Sequence, residues 1–208
     1  MVVEMFLSQS CKTSPPAAVL ASELQNRSDL VILNWHIDYW NILSNRKHGR
    51  WIDPFAKPEF SERQRAYNRK IRNRGSVFTP QAIIDGEESV VASKRDKLET
   101  GIAAHARNAP ARIDVVKRGR NLSITITNSA DAEAFLVRFH NFKETTIKAG
   151  DNAGLVFREP NVVAAMTRLG AVSDRASFSA PAPEADMGCA ILVQKREQGE
   201  ILGARYCP

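Results

Sequence analysis

The sequence predicts an α/β layer domain followed by an all-β, sandwich-like domain. Three observations lead there. In the first half, apolar segments of strand and helix character alternate. Past Ala109-Pro110-Ala111, short strand-like runs separated by turn residues follow instead. The length of 208 residues is long for one compact core and comfortable for two small ones. The expected division is 1–109 and 112–208, with a helical insertion at about 41–75.

Residues 2–7 form an apolar run interrupted by Glu4, read as a buried strand. Pro15 and Pro16 suit the first turn of a helix, where their missing N–H groups would have had no partner. Ala17, Leu20, Ala21 and Leu24 then follow helical spacing on one face. Residues 30–35 read as a second buried strand running out into His36-Ile37-Asp38-Tyr39-Trp40. Ser61 and Gln64 have capping-box spacing, and Gly75 is placed to close that helix. Residues 81–85 and 89–92 pair across Asp85-Gly86 as an antiparallel hairpin. Ser93 is the expected cap of the next helix, with Asp96 in its first turn and Leu98 and Ile102 on its inner face.

In the second half, strands are expected at 112–117, 121–127, 134–141 and 145–149, with a final pair beginning near Cys189. The Ala, Pro and Ser-rich stretch 177–185 reads as a linker without regular structure. A three-residue turn at Glu197-Gln198-Gly199, with Gly199 left-handed and Arg196 facing Glu200, sets Cys189 directly opposite Cys207. Counting outward makes them a non-hydrogen-bonded pair, close enough for a disulfide; the alternative is two buried free thiols. A disulfide implies maturation in an oxidising compartment and leaves Cys11 as the odd thiol.

Hydrophobic residues at 43% and charged residues at 25% describe a soluble globular chain. No run approaches the roughly 20 apolar residues of a spanning helix, and the N-terminus carries no export-signal pattern. The net charge of +6 is local: residues 44–75 hold ten Lys or Arg, Arg46 and Lys47 among them, against three acids. That pattern reads as a solvated face, with an anionic ligand at this basic insertion as the alternative. Nucleic acid is not expected, since no reader motif accompanies it. The four histidines show no paired ligand spacing, so neither metal nor cofactor is expected.

Several strings carry a family likeness: residues 2–16 with Cys11-x-x-Ser14-Pro15-Pro16, then Trp35-His36-Ile37-Asp38-Tyr39-Trp40, Asp53-Pro54-Phe55, Arg63-Gln64-Arg65-Ala66-Tyr67, Thr79-Pro80-Gln81, Asn152-Ala153-Gly154 and 199–204. They resemble the bacterial thioredoxin-like family DUF1223. The resemblance implies a thioredoxin fold followed by a β-sandwich, usually behind an export signal, hence a periplasmic or secreted protein. It implies no established reaction. The family usually shows Cys-x-x-Cys where this chain has Cys11-Lys12-Thr13-Ser14. A lone thiol cannot close an internal disulfide, so dithiol cycling at this site is excluded and monothiol exchange remains.

The candidate site follows. Cys11, ahead of a helix N-terminus and beside Lys12, is the expected nucleophile, in what reads as an exposed turn. Ser14 is expected to donate a hydrogen bond to its thiolate. The likeness makes Thr79-Pro80 a cis-proline beside the thiol that shapes a peptide groove, although trans is the ordinary state of such a bond. Glu4 resembles the buried acid beneath the thiol in that fold, or is a surface-paired carboxylate. His36 and Asp38, alternating on one strand face, either tune the thiolate or anchor the insertion. The expected function is mixed-disulfide formation with a protein or low-molecular-weight disulfide through Cys11. The alternative is a non-catalytic peptide- or anion-binding module.

Overall fold

Strand β1 (Val2–Leu7) is buried along its whole length, and the computed structural model describes residues 1–43, 49–106 and 109–208. Helix α1 (Pro15–Leu24) starts on the two prolines and buries Ala17, Ala18, Leu20, Ala21 and Leu24, as its spacing predicts. Strand β2 (Val31–His36) lies parallel to β1, with Val2 opposite Val31. A short helix α2 (Trp40–Leu43) and the long helix α3 (Pro58–Arg72) follow. The cap of α3 is Lys57 before Pro58, not Ser61, and left-handed Asn73 ends it before Gly75 is reached. Ser61 and Gln64 lie buried inside the helix.

Strands β3 (Gln81–Ile84) and β4 (Glu88–Val91) make the expected hairpin, with Asp85 and Gly86 both at positive φ. Gly86 is required there, because a Cβ would stand 2.6 Å from the carbonyl oxygen of Gly199. Helix α4 (Arg95–Ala104) is preceded by Lys94 as cap rather than Ser93, and it buries Leu98 and Ile102.

The second half corrects the expected fold class. Strands β5 (Arg112–Arg118), β6 (Asn121–Thr146), β7 (Val156–Pro181), β8 (Met187–Lys195) and β9 (Ile201–Tyr206) do not form a separate sandwich behind a thioredoxin-like domain. They continue the first sheet in the order β4-β3-β1-β2-β7-β6-β8-β9, with β5 paired to β6, giving one nine-stranded mixed sheet among the described residues. The junction is a parallel bridge between Asn34 of β2 and Val162 of β7, reinforced by Asn34 Nδ2 donating to the Pro160 carbonyl at 2.6 Å.

Strands β6 and β7, each 26 residues long, pair along almost their whole length. Irregularities after Thr127, Ser129, Ala134 and Arg138 break the alternation of β6, which is why it read as several short strands. Asn128, Asp131 and Asp174 take left-handed conformations around the first of them, tolerable for short polar side chains. Residues 177–181, expected to be linker, are the end of β7.

The two faces of β1 feed different cores. Val3, Met5 and Leu7 pack with Leu20 of α1 and with Leu98 and Ile102 of α4. Val2 and Phe6 join Trp35, Phe60 and Tyr67 in a core that also takes Val137, Phe139, Ala190, Leu192 and Ile201 from the second half. A third core lies within 111–202.

Cys189 and Cys207 form the expected disulfide, with Cα atoms 5.3 Å apart. The route differs. Glu197 and Gln198 are left-handed, Gly199 is not, and Lys195 rather than Arg196 pairs with Glu200. An extra residue on β9, Leu202, restores the register, since Val193 opposes Gly203 while Gln194 opposes Ile201. The pair is hydrogen-bonded, Cys207 N–H donating to the Cys189 carbonyl at 2.8 Å. No described helix is long and apolar enough to cross a membrane. The disulfide and that observation are compatible with a secreted protein.

Candidate functional site

Past Leu7 the chain turns through residues 8–14 into α1. Cys11 N–H donates to the Ser8 carbonyl at 3.1 Å, and Ser14 N–H donates to the Cys11 carbonyl at 3.0 Å. The turn is not exposed as expected: Ser8, Gln9, Ser10 and Ser14 are buried and Cys11 is only 1% exposed. Lys12 and Thr13 alone in this stretch face solvent.

The sulfur contacts two hydroxyls. Thr79 Oγ1 donates to Cys11 Sγ at 3.2 Å, and Thr13 Oγ1 stands 3.1 Å from it. Trp40 Nε1 donates to Thr79 Oγ1 at 2.5 Å. An indole can only donate, so Thr79 accepts this bond and its own proton is left for the sulfur. The Thr79-Pro80 bond is cis. The Ser14 hydroxyl accepts from Ser8 N–H at 3.3 Å, and the hydroxyls in contact with the sulfur are those of Thr13 and Thr79.

Beneath this turn lies a buried polar cluster. His36 Nδ1 is 2.8 Å from Asp53 Oδ2, and His36 Nε2 is 3.4 Å from Glu159 Oε1, with all three side chains fully buried. The second contact is a charge contact without a hydrogen bond, since neither atom has a bonded partner. Burial alone would lower the His36 pKa, but the charges of Asp53 and Glu159, with the hydrogen bond to Asp53, raise it to about 10. Burial likewise opposes the charge on Asp53, yet the His36 cation and the N–H groups of Gln9 and Phe55 hold its carboxyl below the ordinary value.

Gln9 couples the cluster to the turn. Its N–H donates to Asp53 Oδ2 at 2.7 Å and its Nε2 to Glu159 Oε2 at 3.0 Å. Asn152 Nδ2 closes the arrangement, donating to the carbonyls of Gln9 at 2.8 Å and Cys11 at 3.0 Å. The segments of Asp53 and Asn152 therefore hold the backbone on which Cys11 sits, while Glu159 holds the Gln9 side chain.

The remaining candidates lie elsewhere. Asp38 parts from His36 and binds Ser61 of α3, whose hydroxyl donates to Asp38 Oδ1 at 2.5 Å. Glu4 is buried, not surface-paired. It is gripped by Arg63 Nε at 2.7 Å and Nη2 at 3.0 Å, and by the Tyr67 hydroxyl at 2.5 Å, with none of these bonds reaching Cys11. Burial would lower the Arg63 pKa, but Glu4 and Tyr67 together outweigh it and raise it, while burial raises Tyr67 well above its ordinary value. Arg46 and Lys47 of the basic insertion lie outside the described residues. Among those described, no group of three acidic, histidine or cysteine side chains is arranged to hold a metal.

Sequence reasoning gave no role to Gln9, Thr13, Asp53, Asn152 or Glu159. Asp53 and Asn152 stood within motif strings, whereas Glu159 carried no signal because β7 itself was not predicted.

A family model described as a protein of unknown function, DUF1223, matches residues 2–194. A crystal structure of a protein from Agrobacterium tumefaciens is similar in fold, with a TM-score of 0.80 and 24% identity over 99% of this chain and 92% of that one. No curated protein matches. The family match spans the Cys11 turn, the His36 cluster and Asn152 alike, and the chain belongs to the DUF1223 family.

Proposed function

We propose that this chain is a monothiol exchange protein of the bacterial periplasm, forming mixed disulfides through Cys11 with a protein or low-molecular-weight disulfide. The carrying observation is the placement of the free sulfur between the hydroxyls of Thr13 and Thr79. Thr13 is the exposed one, so rotation of that side chain opens a path to an otherwise covered atom. The Cys11 thiolate attacks one sulfur of the partner disulfide. The partner S–S bond breaks, the new Cys11–partner bond forms, and the second partner sulfur leaves with the electron pair and takes up a proton. With a hydroxyl at Ser14 in place of a second thiol, an outside thiol must resolve the adduct.

Incubation of the folded protein with glutathione disulfide, read by intact mass, tests this. One glutathione adduct is expected on the wild type, none on Cys11→Ser, and faster formation on Thr13→Gly. The burial of Cys11 favours a second reading, a non-catalytic module that holds a peptide at the Thr79-Pro80 edge. An adduct that appears only after unfolding would select it.

A further inference from the structure

Strand β4 ends the sheet: it pairs with β3 on one side, and among the described residues no strand lies against the other. The antiparallel register, with Gln81 opposite Val91 and Ile84 opposite Glu88, fixes which backbone groups are already used. Ala92 N–H donates to the Pro80 carbonyl at 3.0 Å. Bonding residues alternate along such a ladder, so Glu88 and Val90 also turn their backbone groups to β3, and Ser89 and Val91 turn theirs outward. The Val91 carbonyl accepts from Lys94 N–H at 3.0 Å, where the chain bends into α4. The N–H groups of Ser89 and Val91 and the carbonyl of Ser89 have no backbone partner among the described residues.

The other end of the sheet is covered. At β9 the Leu202 carbonyl accepts from Ala111 N–H at 3.0 Å, and Arg205 Nη1 donates to the Ile113 carbonyl at 2.9 Å. Apart from its brevity, β4 has few of the features that keep a free edge unpaired: it contains no proline or lysine, its register is unbroken, and Val90 and Val91 are only half-buried. A cavity of about 560 Å³ runs along the strand, between Arg72 and Phe78 on one side and Asp96, Lys97 and Thr100 on the other. Its charges balance, Arg72 and Lys97 against Glu88 and Asp96, so it is not built for a strongly charged ligand.

We propose that this edge pairs with the same edge of a second copy of the chain, antiparallel about a twofold axis at Val90. Ser89 of each copy then faces Val91 of the other, and their outward groups exchange four backbone hydrogen bonds, the Val91 carbonyl accepting on its second lone pair. The two ends of the strand supply the reason for a like partner. Glu87 and Glu88 stand at its start, and Lys94 and Lys97 just past its end. A reversed copy sets acids against bases at both ends at once, whereas a copy in the same direction would set like against like. Lys94 and Lys97 are exposed and have no ion-pair partner among the described residues. The pairing makes no use of Cys11 and stands or falls separately from thiol exchange.

Sedimentation equilibrium tests the proposal. A four-residue strand buries little surface, so a weak dimer is expected, filling as the protein concentration rises to about 1 mM. The backbone amide resonances of Ser89 and Val91 are expected to shift over the same range in nitrogen-labelled protein. Val91→Pro removes an outward N–H and leaves the bonds to β3 in place, so it is expected to fold and to weaken the dimer at least about tenfold. Lys94→Glu combined with Lys97→Glu sets acids against acids and is expected to weaken it as much, which keeps the test open should Val91→Pro not fold. A wild type that stays monomeric throughout, a dimer that the folded variants leave intact, or shifts confined to other strands overturns the proposal.

Discussion

His36 Nδ1 lies 2.8 Å from Asp53 Oδ2 with neither side chain exposed, so the last residue of β2 is tied to the segment that leads into α3 by a buried charge pair. Removing one member of such a pair strands the other in a low-dielectric interior. Asp53→Asn is expected to destabilise the fold by about 3–5 kcal/mol, measurable as a lower urea midpoint at neutral pH. An unchanged midpoint would show that the pair contributes nothing.

The same pair sets a pH profile. The folded pKa of His36, about 10, exceeds its ordinary 6.5, so its contribution is complete below about 6.5 and is lost as pH rises through about 10. Asp53 is shifted downward from 3.8, so its contribution is present above that value and is lost as pH falls through the folded pKa. Relative to His36→Gln, the wild type should lose stability between neutral pH and about 10. Parallel profiles for the two proteins would count against this.

Asn152 serves two carbonyls with one amide nitrogen. Asn152→Ala removes the side-chain donor from the buried Gln9 carbonyl and leaves the Cys11 carbonyl with the Ser14 N–H alone, at a cost of about 1–3 kcal/mol. It is also expected to raise the native-state alkylation rate of Cys11, because it releases the backbone beneath the sulfur. Faster labelling without loss of far-ultraviolet dichroism is the expected pair of results.

Glu4 and Arg63 should be strongly non-additive. Glu4→Leu alone leaves a buried guanidinium uncompensated, and a loss of about 3–5 kcal/mol is expected. Combining it with Arg63→Met removes the stranded charge and should recover much of that loss. Chemical denaturation of the two single variants and the double variant closes the cycle.

The Cys189–Cys207 bond joins residues 18 apart in sequence. Cys207→Ala is expected to lower stability by about 2–4 kcal/mol, mainly by enlarging the unfolded ensemble. Thermal melting of oxidised wild type against the variant measures it.

Features governed by local chemistry were legible in the sequence. The prolines placed α1 and Asp85-Gly86 placed the β3–β4 turn, whereas the cis Thr79-Pro80 bond was implied by the family resemblance and not by the local residues. The disulfide partner was legible too, although its predicted register held only because Leu202 offsets the altered turn. What depends on distant pairing was hidden. Strand β7 shows no sustained alternation, since residues 159–163 near its start are buried in an unbroken run while its middle residues are exposed or half-buried. Without β7 there was no reason to join the two halves, and no place for Glu159 beside His36. The exposed turn expected around Cys11 failed for the same reason, because the chain that covers it arrives from residues 51–53 and 152.

Trp35 of β2 and Leu192 of β8 occupy one core although more than a hundred residues of chain separate them. Severing the chain between α4 and β5 would therefore not liberate two independent bodies. Each fragment would carry half of an unfinished interior, and the intact molecule is expected to melt in a single cooperative step.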